Sequence, residues 1–437
     1  MNRRGFLAGL SAGLAAQPAI ARAQATPSLQ VAARNAWLFV LPLVIVADVR
    51  ARPNPLTGKR LTMNVLRHAR SLSGPANRAV TAPNNDTLYS SAFVDMTAGP
   101  VGLVVPPSGS RYLSVQIMDM YTNDNFILSP RTGGAAGTWR LIAPGTRPRG
   151  NRDLQLSTPH GWLLVRILVD GPEDLPAVHA LQDRFELQTR ATPLPLAYAD
   201  ESSDWPAYFA SAAQLLSMDP PARANELDAF DAIRNACRSH DFARSGYSPQ
   251  DAAAIDAGVA EANVIAHSGR EAARFVDGWT YPRADLGEFD DHFAFRAIIA
   301  VSGLAALTPP EAMYLRSAGD GRGLFGGDGP YRLRLSQPIP VDAFWSLTMY
   351  EARDDGRFFL TENPLNRYSI GDRTRGLVRD ADGSLDLWIG RSDPGGARTA
   401  NWLPAPKQGP YALTLRAYLP RHELLSGAYR VPPVEPA

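Results

Sequence analysis

Cysteine and lysine are nearly missing from this sequence, and each shortage excludes a class of chemistry. Cys237 is the single cysteine among 437 residues, so an intramolecular disulfide is impossible. It ends an apolar helical stripe that begins at Leu227, which predicts a buried, inert thiol rather than a nucleophile. Lys59 and Lys407 are the two lysines, and both lie in Gly- and Pro-rich stretches. Schiff-base catalysis would therefore depend on one of two residues that we expect to be exposed.

The chain also lacks a strong net charge and the common local motifs of catalysis. Its 44 basic and 43 acidic side chains leave a formal charge of +1, which excludes the basic footprint of a nucleic-acid-binding protein. The seven histidines form no H-E-x-x-H or H-x-H pair, and there is no G-x-S-x-G or P-loop motif. Residues 321–326 match G-x-G-x-x-G, but they lead into a predicted strand rather than a helix. We interpret them as an inter-domain loop, not a dinucleotide site.

The first 25 residues are typical of a signal peptide. Arg3 and Arg4 precede a run of Ala, Gly and Leu, and two small-x-small cleavage sites follow at 21–23 and 23–25. The run is shorter than the roughly 20 apolar residues that a bilayer span needs. We predict a twin-arginine-type signal over residues 1–25 and a periplasmic or secreted location. The alternative is an ordinary secretory signal that carries two arginines. We expect no membrane-spanning segment after signal removal.

After the signal, the hydrophobic pattern predicts a mainly β chain with a helical insert. Short alternating runs separated by turn signals predict an antiparallel sandwich over residues 26–190. Helical periodicity dominates residues 191–325. Alternation returns over residues 326–437 and predicts a second antiparallel sandwich, with a jelly roll as the expected arrangement.

Three local patterns carry sharper expectations within this outline. Residues 31–49 are apolar and predict a short helix or strand that packs the N-terminal module. Ser248 before Pro249 predicts an N-cap with proline in the first helical turn. Residues 308–311, Thr-Pro-Pro-Glu, have the capping-box pattern and predict the start of a short helix.

Two sets of longer motifs resemble a known bacterial family. The N-terminal set is Thr-Ala-Pro-Asn-Asn-Asp-Thr-Leu-Tyr at 81–89 with residues 112–130 behind it. The C-terminal set comprises residues 344–350, 363–372 and 401–406. Together they resemble the family built from domain of unknown function 1254 at the N-terminus and domain of unknown function 1214 at the C-terminus. The resemblance covers nearly the whole mature chain. It implies an immunoglobulin-like sandwich, a helical insert and a C-terminal jelly roll, without a settled activity.

Polar side chains around the first strands of the N-terminal module are candidate site residues. An Asn-Asn-Asp turn precedes a strand, and acids and amides follow a later one. Such residues often shape turns through their own backbone, which is one interpretation. They could instead line a polar pocket for a hydroxyl-rich ligand. An oxygen-rich set also fits Ca²⁺, but EF-hand spacing is missing, so we predict no metal and no cofactor. The candidates are Asn84, Asn85, Asp86, Tyr89, Asp119 and Asn123.

The C-terminal module supplies a second set of candidates. Strand alternation places Ser346, Thr348 and Tyr350 on one polar face, which could line a groove or face solvent. Arg367 could pair with Asp372 or bind a ligand carboxylate or phosphate. Trp402 could pack the core edge or form a stacking platform. The binding candidates here are Tyr350, Asn366, Arg367 and Trp402, with Tyr368 as a catalytic candidate.

These residues favour an exported enzyme, of hydrolase or lyase type, that acts on a small polar or sugar-like molecule between the two β modules. Acid–base work would fall to Asp86, Asp119, Tyr89 and Tyr368. The alternative is a non-catalytic periplasmic ligand-binding or envelope accessory protein. A redox protein loaded before export is a third hypothesis, which the scarce histidines disfavour. We expect a small-molecule ligand and no nucleic acid, and the chain could form a homo-oligomer.

Overall fold

The computed structural model describes residues 28–52, 62–78, 80–193, 200–269, 273–317, 319, 324–326 and 329–437. The predicted signal peptide at 1–25, Lys59 and residues 321–323 of the glycine-rich motif lie outside these described residues. All statements below concern the described part of the chain.

Helices form one body of the molecule. The long first helix follows Ser28, whose hydroxyl accepts a hydrogen bond from the Val31 amide, and it packs against four later helices. Cys237 is buried in the same apolar cluster, as predicted. The described residues form seven helices: α1 Leu29–Ala51, α2 Leu175–Gln182, α3 Trp205–Met218, α4 Asp228–Ala236, α5 Pro249–Ser268, α6 Phe293–Ser302 and α7 His422–Leu425.

Helix α1 is longer than expected, and its composition bears on the question of a membrane span. The predicted short helix or strand at 31–49 is a 23-residue helix, and it lies at the centre of the helical body as well as against one face of the N-terminal sheet. By length and composition α1 could also cross a membrane, with a mean hydropathy of 1.7, although no later segment was expected to do so. Within the fold 67% of that segment is buried, as in the core helix of a soluble protein. An apolar helix near the start of a chain also fits a signal sequence.

Glycine at position 258 lets α5 approach α1 closely. A Cβ atom there would lie 2.2 Å from the Gln30 carbonyl oxygen and 2.9 Å from the Ala33 side chain. We expect Gly258→Val to force the two helices apart and to lower the free energy of unfolding by about 1–3 kcal/mol. Urea unfolding measures the change. Ala260→Val, on the exposed face of the same helix, is the control and should change stability by a few tenths of a kcal/mol. Equal effects of both variants would contradict the close helix contact.

The described residues also form twenty strands, mostly antiparallel, in four sheets. They are β1 Arg67–His68, β2 Thr87–Asp95, β3 Val101–Val105, β4 Leu113–Met118, β5 Asp124–Leu128, β6 Gly137–Ile142, β7 Asp153–Gln155, β8 His160–Leu168, β9 Glu186–Gln188, β10 Ala273–Val276, β11 Trp279–Pro282, β12 Ala312–Ser317, β13 Tyr331–Leu335, β14 Val341–Ala352, β15 Phe358–Phe359, β16 Ser369–Gly371, β17 Leu385–Gly390, β18 Trp402–Pro404, β19 Tyr411–Pro420 and β20 Glu435–Pro436.

The N-terminal module is a two-sheet sandwich. Sheet β1-β2-β8-β4-β5 faces sheet β7-β6-β3-β9 across one apolar core. Leu88 of β2, Val115 of β4 and Val165 of β8 point into this core, because alternate residues of a strand share a face. The opposite face of β2, β4 and β8 is therefore free to contact the rest of the molecule.

The C-terminal module is a second two-sheet sandwich. Its large sheet has the order β10-β11-β12-β19-β14-β15, with β16 also paired to β14, and it packs on sheet β18-β17-β13-β20. Leu347, Leu387 and Leu415 belong to the core between the sheets. The sequence-based expectation of a mainly β chain with sandwich-like antiparallel sheets and a helical segment is confirmed.

The start of the C-terminal module differs from the expected boundary at residue 326. Strands β10, β11 and β12 lie between residues 273 and 317, within the expected helical segment, yet β12 pairs along its length with β19. The predicted short helix after Thr308 is also wrong. The chain makes a turn there, with the Glu311 and Ala312 amides donating to the Thr308 carbonyl, and enters β12 directly.

Candidate functional site

One face of the large C-terminal sheet is polar, and it does not face solvent. Tyr314 on β12, Arg416 on β19 and Ser346 on β14 stand opposite one another in register. Thr348 and Thr414 form the next such pair. These side chains are buried or half-buried. The polar face predicted from strand alternation is therefore present, but it lies against the N-terminal module.

The facing surface of the N-terminal module carries a matching polar row. Tyr89 on β2 and Ser114 on β4 both stand opposite Arg166 on β8, and Gln116 follows Ser114 on the same face. The Arg166 guanidinium is held in place from three sides. It donates to the Gln116 side-chain oxygen at 2.7 Å, the Ala305 carbonyl at 2.7 Å and the Tyr89 hydroxyl oxygen at 3.3 Å.

The Asn-Asn-Asp turn joins the two rows. The Asn84 amide nitrogen donates to the Tyr418 hydroxyl at 2.7 Å and to the Tyr89 hydroxyl at 3.4 Å. The Asn84 side-chain oxygen accepts the Asp86 backbone amide at 2.7 Å, and the Asp86 carboxyl accepts the Ser346 hydroxyl at 2.7 Å. Asn84 therefore shapes its turn, as one interpretation expected, and it also bridges both modules.

Arg416 is anchored on the C-terminal side of the same interface. Its guanidinium donates to the Thr348 hydroxyl at 2.8 Å, the Tyr350 hydroxyl at 2.7 Å and the Ala82 carbonyl at 3.1 Å. Tyr350 in turn donates to the Pro83 carbonyl at 2.6 Å. We call the side chains joined in this way, together with Tyr314 opposite Arg416, the interface cluster: Asn84, Asp86, Tyr89, Gln116, Arg166, Tyr314, Ser346, Thr348, Tyr350, Arg416 and Tyr418.

Two titratable groups of the interface cluster shift in opposite directions. Burial acts to raise the pKa of Tyr89, but the guanidiniums of Arg166 and Arg416 and the Asn84 amide outweigh burial and lower this pKa below its ordinary value. Burial raises the pKa of Asp86 above its ordinary value, although Arg416 and the Ser346 hydroxyl act to lower it. The cluster thus joins a phenol that loses its proton more readily to a carboxyl that keeps its proton more firmly.

Four of the predicted site residues meet in this cluster: Asn84, Asp86, Tyr89 and Tyr350. Asn85 lies beside it but turns away, and its amide donates to the Ser73 carbonyl at 2.5 Å. Asn85 therefore fastens the preceding loop rather than the module interface.

Asp119 and Asn123 stabilise the turn that follows the C-terminal end of β4. One Asp119 carboxylate oxygen accepts the backbone amides of Tyr121 and Asn123, both at 2.9 Å. The other accepts the Asn123 side-chain amide at 2.8 Å and the Ser157 hydroxyl at 2.6 Å. Both oxygens of Asp119 are thus occupied by local partners, as in an Asx-type turn.

The remaining C-terminal candidates form a separate structural group. Arg367 does not pair with Asp372. Its guanidinium donates to the Ala400 carbonyl at 2.9 Å and to the Trp402 carbonyl at 2.8 Å. Trp402 is 4% exposed and its indole donates to the Gly390 carbonyl, so it packs the core edge instead of forming a stacking platform.

Asn366 and Tyr368 flank this arginine. The Tyr368 hydroxyl donates to the exposed Asn366 side chain at 3.5 Å, and the Tyr368 backbone carbonyl accepts the Met349 amide. Among the described residues, no hydrogen bond or ion pair joins this group to the interface cluster. The C-terminal candidates other than Tyr350 therefore do not converge on the site.

Sequence reasoning missed half of the interface cluster. Arg166, Arg416, Tyr314 and Tyr418 lie within apolar strands, and Gln116 shares one face of β4 with Ser114. A usable signal was present: Thr414, Arg416 and Tyr418 alternate with leucine and alanine on β19, the pattern of a strand whose second face is polar.

Metal ligands are scarce in this part of the fold. Within the described ranges, no group of three or more His, Cys, Asp or Glu side chains is arranged to hold a metal ion. The interface cluster instead offers phenols, amides, hydroxyls and guanidiniums, which suit hydrogen bonding to an organic ligand.

A separate groove of about 490 Å³ opens at one end of the C-terminal sandwich. It is lined mainly by prolines and aliphatic side chains, with Asp372 and Arg421 at its exposed rim. Arg421 is already paired with Asp342. We place the candidate site at the interface cluster, because Asp86 and Tyr89, whose pKa values shift in opposite directions, meet there.

Comparison with family models identifies two domains in this chain. The model described as Protein of unknown function (DUF1254) matches residues 63–189, and the model described as Protein of unknown function (DUF1214) matches residues 311–422. The chain belongs to the family that joins these two domains. In this two-domain family member, Tyr89 and Arg166 come from the first domain and Tyr350 and Arg416 from the second. The interface cluster is therefore the contact between the two family domains.

The VPA0106 protein from Vibrio parahaemolyticus is similar in fold. Its crystal structure has a TM-score of 0.68 and 23% identity, and the match covers 94% of this chain and 100% of that chain. An uncharacterised protein from Burkholderia cenocepacia matches at a TM-score of 0.39 and 14% identity, over 93% of this chain and 86% of that chain. A search of curated proteins gave no match.

Proposed function

We propose that this protein is an exported enzyme that acts on a small polar or sugar-like molecule at the interface cluster, by hydrolase- or lyase-type chemistry. One observation carries the proposal. Tyr89 and Asp86 come from one turn-and-strand segment, are linked through Asn84, and have pKa values shifted towards a base and an acid respectively. Pairs of groups whose environments push their pKa values apart are typical of acid–base catalysis.

Each residue of the proposed site would have a distinct role in the reaction. Two donors, the Arg166 guanidinium and the Asn84 amide, point at the Tyr89 hydroxyl oxygen and stabilise its phenolate, which would accept a substrate proton. Asp86 would supply a proton to the leaving oxygen, with Ser346 orienting its carboxyl. Hydroxyls of Thr348 and Tyr350 would orient the hydroxyl groups of the substrate.

Export is the second part of the proposal. Paired arginines at positions 3 and 4, the Ala- and Gly-rich run and the small-x-small sites support a twin-arginine signal, which passes folded proteins. The mature chain would then lie in the periplasm or outside the cell. The module interface, which contains residues separated by 334 positions, would be assembled before export.

A non-catalytic ligand-binding or envelope accessory protein is the second candidate. The observation that favours it is the share of hydrogen bonds that join the modules to each other. Tyr350 and Arg416 both donate to backbone carbonyls of the Ala82–Pro83 segment, and Glu311 accepts the hydroxyls of Tyr112 and Ser129 at 2.7 Å each. Such bonds could serve the interface alone.

A turnover screen separates the two candidates. We expect the mature protein to convert at least one member of a panel of glycosides, lactones and hydroxy acids. The double variant Tyr89→Phe, Asp86→Asn should lose this turnover. The matched control is Tyr429→Phe, Asp393→Asn, which removes the same groups far from the cluster. Binding of panel members without turnover, equal in both variants, would contradict the enzyme and favour the binding protein.

A further inference from the structure

Two arginines are buried at the interface cluster without a carboxylate partner. Arg166 is 3% exposed and Arg416 is 4% exposed. The hydrogen bonds of Arg166 go to an amide, a carbonyl and a phenol, and those of Arg416 go to two hydroxyls and a carbonyl. Within the described residues neither arginine forms an ion pair. Buried guanidiniums usually pair with an anion, because neutral partners only partly replace the lost hydration.

Arg296 is a buried arginine of a different kind, because it packs among aromatic rings. It is 3% exposed and sits within 5.2 Å of the ring centroids of Phe39, Tyr121 and Phe293, whose faces compensate its charge. Burial lowers the pKa of Arg296. In Arg166 and Arg416 burial acts the same way, but the surrounding tyrosine oxygens, together with Asp86 beside Arg416, outweigh it and raise the pKa of both arginines. The interface cluster therefore favours two full positive charges.

The carboxyl groups near these arginines do not balance that charge. Asp86 lies near Arg416, and Asp124 and Glu311 lie within electrostatic reach of Arg166. Burial is the largest effect on all three carboxyls and raises the pKa of each. Because burial raises the pKa of all three carboxyls, they offset less of the positive charge of Arg166 and Arg416 than exposed carboxyls would.

Unpartnered donors lie on the same sheet face. Among the residues that the structure describes, the buried Arg416 Nε atom and the buried Thr414 hydroxyl have no hydrogen-bond partner. They are two residues apart on β19, and Thr414 stands opposite Thr348 of β14. A buried donor that lacks a partner costs free energy, which a ligand atom can restore. Tyr89 and Tyr314 beside them keep part of their surface accessible.

We propose that the site takes a small hydroxyl-bearing molecule that carries one anionic group, a carboxylate or a phosphate, and that this group lies between Arg166 and Arg416 beside the Tyr89 hydroxyl. This inference rests on the proposed site and names its substrate class. The guanidiniums make charge-assisted hydrogen bonds to the anion, and the Asn84, Ser346 and Thr348 side chains bind its hydroxyls. Asp86 then faces the neutral part of the molecule.

Ionisation of Tyr89 competes with such a ligand. Arg166 of β8, Arg416 and Tyr418 of β19, Tyr314 of β12 and the turn residues Asn84 and Asp86 all face this phenol. A phenolate at Tyr89 neutralises one of the two arginine charges that the anion needs. Anion binding therefore weakens as pH rises through the Tyr89 pKa, and the bound anion raises that pKa in return.

Calorimetric titration of the full mature protein tests the inference with three probes of one sugar skeleton: D-glucuronate, D-glucose 6-phosphate and D-glucose. We expect at least one anionic probe to bind about 10- to 100-fold more tightly than D-glucose, the usual gain from hydrogen bonds to a charged group. The two anions distinguish a carboxylate ligand from a phosphate ligand. Arg416→Gln should remove the preference for the anion, whereas Arg398→Gln, at an exposed arginine on the Trp388 ring, should keep it.

Equal binding of D-glucose and both anions, or no binding of either anion, would overturn the inference. The comparison of probes on the unmodified protein decides the question even where Arg416→Gln does not fold. Turnover is measured separately. Anion-selective binding without turnover supports this inference and removes the proposed enzyme, whereas turnover of neutral sugars without anion preference removes the inference and keeps the enzyme.

Discussion

Tyr89→Phe lowers kcat of the proposed reaction by about 100- to 10,000-fold, the usual contribution of a positioned acid or base. The substitution removes one oxygen, the atom on which the Arg166 guanidinium and the Asn84 amide converge at 3.3 and 3.4 Å. The ring stays and continues to pack 5.1 Å from the Arg166 guanidinium. We therefore expect KM to change much less than kcat, because the lost atom acts on the reaction rather than on ligand binding. Steady-state kinetics on the substrate from the turnover screen measure both constants.

Tyr429→Phe is the matched control for this experiment. Tyr429 is also half-buried, and its hydroxyl donates to the Gln337 carbonyl at 3.5 Å in the C-terminal module. Its substitution should leave kcat within about twofold of the unmodified protein, in line with small effects outside a site. A Tyr89→Phe protein that keeps full kcat would exclude the phenol as a base. Loss of kcat together with loss of folding, seen by circular dichroism, would assign Tyr89 a structural role.

The stability of the protein should fall between about pH 4 and pH 8, and Asp124 should cause much of the fall. Burial raises the pKa of the Asp124 carboxyl to about 8 in the folded protein, although the Gln116 amide and Arg166 act to lower it. One carboxyl oxygen accepts the Gln116 amide at 2.5 Å. In the unfolded chain the same carboxyl ionises near pH 4.

The direction of this change in stability with pH follows from proton binding by Asp124. Between these two pKa values the folded state holds a proton on Asp124 that the unfolded state has released, so the free energy of unfolding decreases as pH rises. Above pH 8 both states are ionised and this contribution to the slope vanishes. At 1.36 kcal/mol for each pKa unit, the loss amounts to about 5 kcal/mol at most.

Asp124→Asn tests this dependence, because asparagine keeps the shape and cannot ionise. We expect the variant to lose distinctly less stability than the unmodified protein between pH 5 and pH 8 in urea unfolding. Asp393→Asn, at an exposed carboxylate, should keep the slope of the unmodified protein. Parallel stability curves for Asp124→Asn and the unmodified protein would show that Asp124 is ionised in the fold.

The fold was largely predictable from sequence because strand alternation is a local signal. Leu385, Leu387 and Ile389 are buried on one side of β17, in line with the alternation predicted over residues 326–437. The large C-terminal sheet begins before the expected boundary at 326, because β12 pairs with β19, about a hundred positions later in the chain. Long-range pairing of this kind leaves no local pattern, and residues 273–317 are interrupted by helix α6.

The site was half predictable, for a similar reason. Asn84, Asp86 and Tyr89 are conspicuous because polar residues cluster before a strand. Arg166 and Arg416 each stand alone among apolar residues, so sequence alone favours a solvent-facing side chain for both. Asn366 and Arg367 lie in a conspicuous polar run, but the Arg367 guanidinium donates to the Ala400 and Trp402 carbonyls and the Asn366 side chain accepts the Tyr368 hydroxyl.

The domain contact explains why these lone arginines are tolerated. Each would be costly in the core of its own module, but each points to the outer face of its sheet. The two outer faces become an interior only when the DUF1254 and DUF1214 domains come together. A polar interface of this kind depends on both domains, and we expect neither domain alone to carry the activity.

Spectrophotometric titration of tyrosinate tests the central claim most directly. The ordinary pKa of tyrosine is about 10. We expect one of the fourteen tyrosines to ionise distinctly below that value in the folded protein, and we expect this early step to be missing from Tyr89→Phe and present in Tyr429→Phe. Identical titration curves for the unmodified protein and Tyr89→Phe would contradict the account, because they would show that the two buried arginines do not act on Tyr89.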